Sequence, residues 1–125
     1  MIFQLPFETP SKKNSRVTDT RTGRNFPNKR YTEWHRKAVL WLRSHYRCDR
    51  IEGPVEVWLE FRHPTYRRKD SDNGTSSVFD LLVDVGILQD DCWTIVTDFH
   101  VKNLYEKGVG FCTVRIEKAD AGGSR

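Results

Sequence analysis

The chain has 125 residues, enough for one domain, and its 37% hydrophobic and 30% charged content allows a single modest core at a formal net charge of +4. No apolar run approaches the roughly 18 residues of a membrane span, and Met1-Ile2-Phe3-Gln4-Leu5 lacks the basic and long apolar regions of a signal peptide, so a cytosolic protein is expected. Cys48, Cys92 and Cys112 are odd in number and show no Cys-x-x-Cys spacing, which argues against a zinc ribbon or a disulfide scaffold.

Ile2 to Phe7 reads as a short strand ended by Pro6. Thr9 to Asn28, rich in Pro, Ser, Thr, Asn, Gly and Arg, reads as a long loop, with a mobile arm or a hairpin around Thr22-Gly23 as the forms open to it. A helix is expected from Lys29 or Glu33 to Tyr46, because Tyr31, Trp34, Ala38, Trp41, Leu42 and His45 recur at spacings of three and four. Cys48 to Gly53 is a turn. Pro54 to His63 alternates, with Val55, Val57, Leu59 and Phe61 on one face and Glu56, Trp58, Glu60 and Arg62 on the other, as a half-buried strand does.

A second helix is expected over Ser77 to Val85, with Val78, Leu81, Leu82 and Val85 as its apolar face. Asp72 or Asn73 is the expected cap, Gly86 the terminating glycine, and a late or frayed start follows from the weak helix formers Gly74 to Ser77. Asp80 and Asp84 read as its solvated face. Cys92 to Leu104 reads as a strand with Ile95, Thr97, Phe99 and Val101 on one side and Val96, Asp98, His100 and Lys102 on the other. Val109 to Glu117 reads as its hairpin partner after the turn Glu106-Lys107-Gly108. The order β, loop, α, β, α, β, β makes this an α+β (mixed α/β) chain, a mixed sheet packed against two helices. One domain is expected over residues 1–118, with 119–125 a flexible tail.

Charge is segregated along the chain. Ser11 to Arg50 holds twelve Lys/Arg against three Asp/Glu, a local +9, whereas Asp70 to Val101 holds seven Asp and no Lys or Arg, a local −7. Basic segments beside an acidic cluster suit an enzyme that grips phosphates and uses metal ions among them. Lys12, Lys13, Arg16 and their basic neighbours are phosphate-contact candidates, as are Arg67, Arg68 and Lys69 before the acidic motif. Asp70 and Asp72, two residues apart, point to the same side of an extended backbone at roughly 6.6 Å, where like charges call for a cation between them. Mg²⁺ takes hard oxygen ligands and keeps several waters, so a few carboxylates suffice. Asp90 and Asp91, delivered by the helix and loop that follow, form a second pair.

Asp70-Ser71-Asp72-Asn73, Phe79-Asp80-x-Leu82, Gly86 and Asp90-Asp91 together resemble the signature of the RusA-type Holliday-junction resolvases. Leu5-Pro6 and Pro10-Ser11-Lys12-Lys13-Asn14 are similar to that family's N-terminal segment, and Lys102 falls near the end of the strand after the second acidic pair. The resemblance implies a RusA-like fold and a homodimer that binds four-way DNA junctions in recombination and repair, in a bacterial or phage-infected cell. It implies paired symmetric nicks with Mg²⁺, for which Mn²⁺ can substitute. Asp70, Asp72 and Asp91 then become catalytic metal ligands, with Asp90 a fourth candidate, and Lys12, Lys13, Asn14, Arg16, Arg67, Arg68, Lys69 and Lys102 become DNA contacts. One position departs from the family motif: a lysine is expected four residues after Asp72, and this chain has Ser76. The alternative is therefore a junction-binding protein of the same fold with impaired cleavage.

Overall fold

The computed structural model describes residues 1–10, 16–18, 25–27, 29–46, 49–66 and 74–119, with the backbone alone at 16–18 and 25–27. The elements run β1 (Ile2–Leu5), β2 (Arg16–Thr18), β3 (Asn25–Pro27), α1 (Lys29–His45), β4 (Val55–His63), α2 (Thr75–Asp84), β5 (Val96–Tyr105) and β6 (Phe111–Lys118). Strands β1, β6, β4 and β5 form one mixed sheet in that order, and β2 with β3 forms a separate antiparallel ribbon within the segment expected as a long loop, arm or hairpin. This is the α+β arrangement that the pattern of elements predicts.

The alternation of β4 decides which face is inside. Val55, Val57, Leu59 and Phe61 are at most 3% exposed, and across the strand pair they meet Ile116, Val114 and Cys112 of β6. These side chains join Tyr31, Trp34, Ala38 and Leu42 of α1 and Val78, Phe79, Leu81 and Leu82 of α2 in one apolar cluster. At about 1.5–3 kcal/mol for each large aliphatic side chain taken out of water, this cluster is the main stabilising term. The helices are also tied by a polar contact, His35 Nε2 to Asp84 Oδ2 at 2.8 Å. Asp84 is exposed, as a solvated helix face requires, but it is not idle.

Four sequence expectations need correction. The last strand is not the hairpin partner of the one before it: β6 lies between β1 and β4, antiparallel to both, and β5 runs parallel to β4 at the sheet edge. The apolar positions of β6 match those of β4, whereas β5 carries polar or charged residues at half its positions and tolerates an edge. The β5 strand starts at Val96 rather than Cys92, since residues 92–95 form a turn. A register shift between Val55 and Glu56 pairs Val55 with Val96 but Glu56 with Asp98. The extra residue of this bulge, Thr97, lets Val96 enter the core instead of sharing the outer face with Asp98 and His100. Finally, α2 starts at Thr75, and its N-cap is Gly74 with no side-chain cap bond, so neither Asp72 nor Asn73 holds that role and the start is not late. The reason is packing. Thr75 and Ser77 are buried, and Ser77 Oγ donates to the carbonyl oxygen of Pro10 at 2.7 Å, which outweighs the weak helix propensity of these residues.

Candidate active site

The Asp91 loop is held at both ends. Gly86, at φ +86°, turns the chain out of α2. The Ile87 and Leu88 amides then donate back to the Leu82 carbonyl at 3.0 and 3.2 Å, and both side chains are buried. Ile51 N–H donates to Ile87 O at 2.9 Å, which fastens the loop to the approach of β4. On the far side Ile95 and Val96 both donate to Cys92 O, at 3.0 and 2.9 Å, and Val55 N–H donates to Ile95 O at 2.7 Å. Between these anchors residues 89–94 are exposed. Asp90 Oδ1 accepts the Asp91 N–H at 2.7 Å, so Asp90 braces the turn and Asp91 presents its carboxylate to solvent.

Asp70 and Asp72 lie outside the described residues, as do Lys12, Lys13, Asn14, Arg67, Arg68 and Lys69; for Arg16 the side chain does. Their points of attachment are described. The segment bearing Lys12 and Lys13 leaves Pro10, and the segment bearing Asp70 and Asp72 rejoins at Gly74. The Ser77–Pro10 bond and the contact of Thr9 with Gly74 bring these two attachment points together. Among the described residues, Thr9 Oγ1 and Thr75 Oγ1 are buried there with no hydrogen-bond partner. Gly74 packs against Phe61, toward the C-terminal end of β4, while the Asp91 loop is bonded to Val55 at its N-terminal end. The ten residues of α2 span about 15 Å between them. Asp70, four residues before Gly74, has a chain reach of about 13 Å.

Ser76 is exposed in the first turn of α2. Lys102 is exposed on β5 opposite Glu60, six residues past Val96 and so roughly 20 Å along the strand from the Asp91 end. The structure therefore does not place Lys102 beside Asp91.

Among the described residues, the group whose donor atoms all lie within 4.8 Å of one another is Glu56, Asp98 and His100, none of them a predicted ligand. It stands on the sheet face away from the helices. His100 Nε2 meets Glu56 Oε2 at 3.0 Å and Asp98 Oδ2 at 3.5 Å. The imidazole stacks on Trp58 at 5.4 Å and 14°, and the Arg115 guanidinium lies 4.4 Å from the Trp58 ring centroid. Glu56 and Asp98 are opposed on adjacent strands, which is unfavourable for like charges, and His100 Nε2 stands beside both carboxylates. Alternation puts Asp98 and His100 on one face of β5, but their meeting with Glu56 depends on strand order. Cys112 offers no nucleophile: burial, with the Glu60 carboxylate adding to it, pushes its thiol far above the ordinary value.

The family model described as endodeoxyribonuclease RusA matches residues 6–117, nearly the whole described structure. The chain belongs to the RusA family. It is also similar to a protein of Aquifex aeolicus (strain VF5) named crossover junction endodeoxyribonuclease RusA, at 27% identity over 99 residues, covering 79% of this chain and 77% of the relative. The exposed carboxylates of Asp90 and Asp91 are hard oxygen donors of the kind that suits a hard cation and its waters. Among the described residues no helix is long and apolar enough to cross a membrane.

Proposed function

We propose that this chain is a metal-dependent endonuclease that binds four-way DNA junctions as a homodimer and resolves them by paired symmetric nicks. The match of the RusA family over residues 6–117 carries the reading. The name of the Aquifex relative, a crossover junction endodeoxyribonuclease, supports the substrate. Asp70, Asp72 and Asp91 hold the cation; Asp90 has one oxygen committed to the Asp91 amide and is the lesser donor. Bound Mg²⁺ or Mn²⁺ would neutralise phosphate oxygens and activate the attacking water. The basic segments Lys12, Lys13, Asn14, Arg16 and Arg67, Arg68, Lys69, with Lys102 on β5, take the DNA backbone, so affinity falls steeply with salt. A two-fold dimer offers two such sites to a two-fold junction, which accounts for pairing of the nicks. Incubating a labelled four-way junction with Mg²⁺ tests this: wild type gives two symmetric nicks, and Asp91→Asn binds without cutting. Equal nicking by that variant would sink the ligand assignment.

A second reading rests on Ser76. An exposed serine in the first turn of α2 has no charge to offer the developing phosphate charge that the family lysine would meet. On this reading the chain binds junctions and cuts them slowly. A wild type that binds without product, beside a Ser76→Lys variant that cuts, would favour it.

A further inference from the structure

We propose that Trp93 is a DNA-contact residue that stacks on a nucleobase unpaired at the branch point, and so helps to select branched over linear DNA. This rests on the junction-binding reading above. Trp93 is 80% exposed, although an indole has more apolar area to gain from burial than almost any other side chain. Other strongly exposed aromatic residues are paired: Tyr66 meets Tyr105 edge-on at 5.3 Å, and Phe99 meets Phe79 at 5.6 Å. Among the described residues no ring packs on Trp93.

Its position is fixed rather than incidental. Trp93 lies inside the turn closed by the hydrogen bonds that the Ile95 and Val96 N–H groups donate to Cys92 O, and the Val55 N–H of β4 donates to Ile95 O of that turn. Cys92 Sγ and Thr94 Oγ1 meet at 3.1 Å on either side of it. The indole is thus held out by a braced backbone, two residues and about 7 Å of chain from Asp91. DNA that brings a phosphate to Asp91 brings its neighbouring bases to Trp93. In linear duplex those bases are stacked and covered; at a branch they can be unstacked, and an exposed indole gives such a base a surface whatever its sequence.

The experiment measures binding of a four-way junction and a linear duplex of matched sequence at one fixed salt concentration, for wild type, Trp93→Phe and Trp93→Ala. Sedimentation of each protein and thermal melting accompany it. Trp93→Ala should lose about tenfold in junction affinity and little in duplex affinity, Trp93→Phe should restore most of the loss, and melting should be unchanged. Unchanged junction preference in Trp93→Ala overturns the proposal while leaving the junction-binding reading intact. Loss of the dimer in Trp93→Ala also overturns it, since the indole would then serve contact between copies. If wild type itself shows no preference for the junction, the underlying reading falls first and takes this proposal with it.

Discussion

Ser77 Oγ donates to Pro10 O at 2.7 Å across 67 residues of sequence, and Ser77 is fully buried. This bond pins the start of α2 to the chain just after β1. Ser77→Ala leaves the Pro10 carbonyl short of that donor and should cost about 1–3 kcal/mol, read as a fall of several degrees in Tm. Since the segments bearing Lys12 and Asp72 both spring from this point, nicking should fall more than the stability loss alone accounts for. Single-turnover cleavage well below Tm separates the two effects.

Gly74 is required by space, not by backbone angle. Its φ of −101° suits any residue, but a Cβ there would stand 2.7 Å from Phe61 Cε1 and 3.0 Å from Thr9 Cγ2. Gly74→Ala should therefore destabilise by about 1–3 kcal/mol through overpacking. In a Phe61→Leu background the same change should cost less, and a double-mutant cycle by denaturant unfolding measures the difference. Equal cost in both backgrounds would mean that Phe61 is not the obstacle.

The faces of α1, α2 and β4 are largely legible in the sequence because each is periodic over its own length: Tyr31, Trp34, Ala38 and Leu42 are buried where their spacing puts them, while Trp41 of the same stripe is half-buried and His45, at the helix end, is exposed. Strand order is not legible in the same way. Whether β6 pairs with β5 or with β4 depends on partners some 55 residues away, and local alternation is blind to that choice. The bulge that sends Val96 inward and the meeting of Glu56 with His100 escape for the same reason. Of the site, the exposure of Asp91 follows from its polar neighbours, but the brace from Asp90 needs the turn geometry.

Cys112 gives the fold an alkaline signature. Burial raises its thiol above the ordinary value of 9.0, with the Glu60 carboxylate contributing in the same direction. The unfolded chain loses this proton first, so the stability is complete below about pH 9 and declines above it by about 1.4 kcal/mol per pH unit. Urea unfolding at pH 8.0 and 9.5 should show a steeper loss for wild type than for Cys112→Val. The same burial predicts that a maleimide labels exposed Cys92 in the folded protein and leaves Cys112 untouched until denaturant is added.

Ser76 is where a gain of function is expected. Its side chain is exposed, so Ser76→Lys should leave Tm within about 0.5 kcal/mol equivalent of wild type. A lysine there would add a positive charge at the start of α2, two residues from Gly74, where the helix N-terminus already favours anions. If that charge meets phosphate in the transition state, the Mg²⁺-dependent nicking rate should rise by about 10²–10³ while junction affinity changes far less. A rise in affinity with no rise in single-turnover rate would assign the position to binding instead. Chelation should abolish nicking in both proteins, and Mg²⁺ or Mn²⁺ should restore it. With Asp91 a metal ligand as proposed, Ser76→Lys should restore nothing in an Asp91→Asn background, because a cation on α2 does not replace a lost carboxylate ligand.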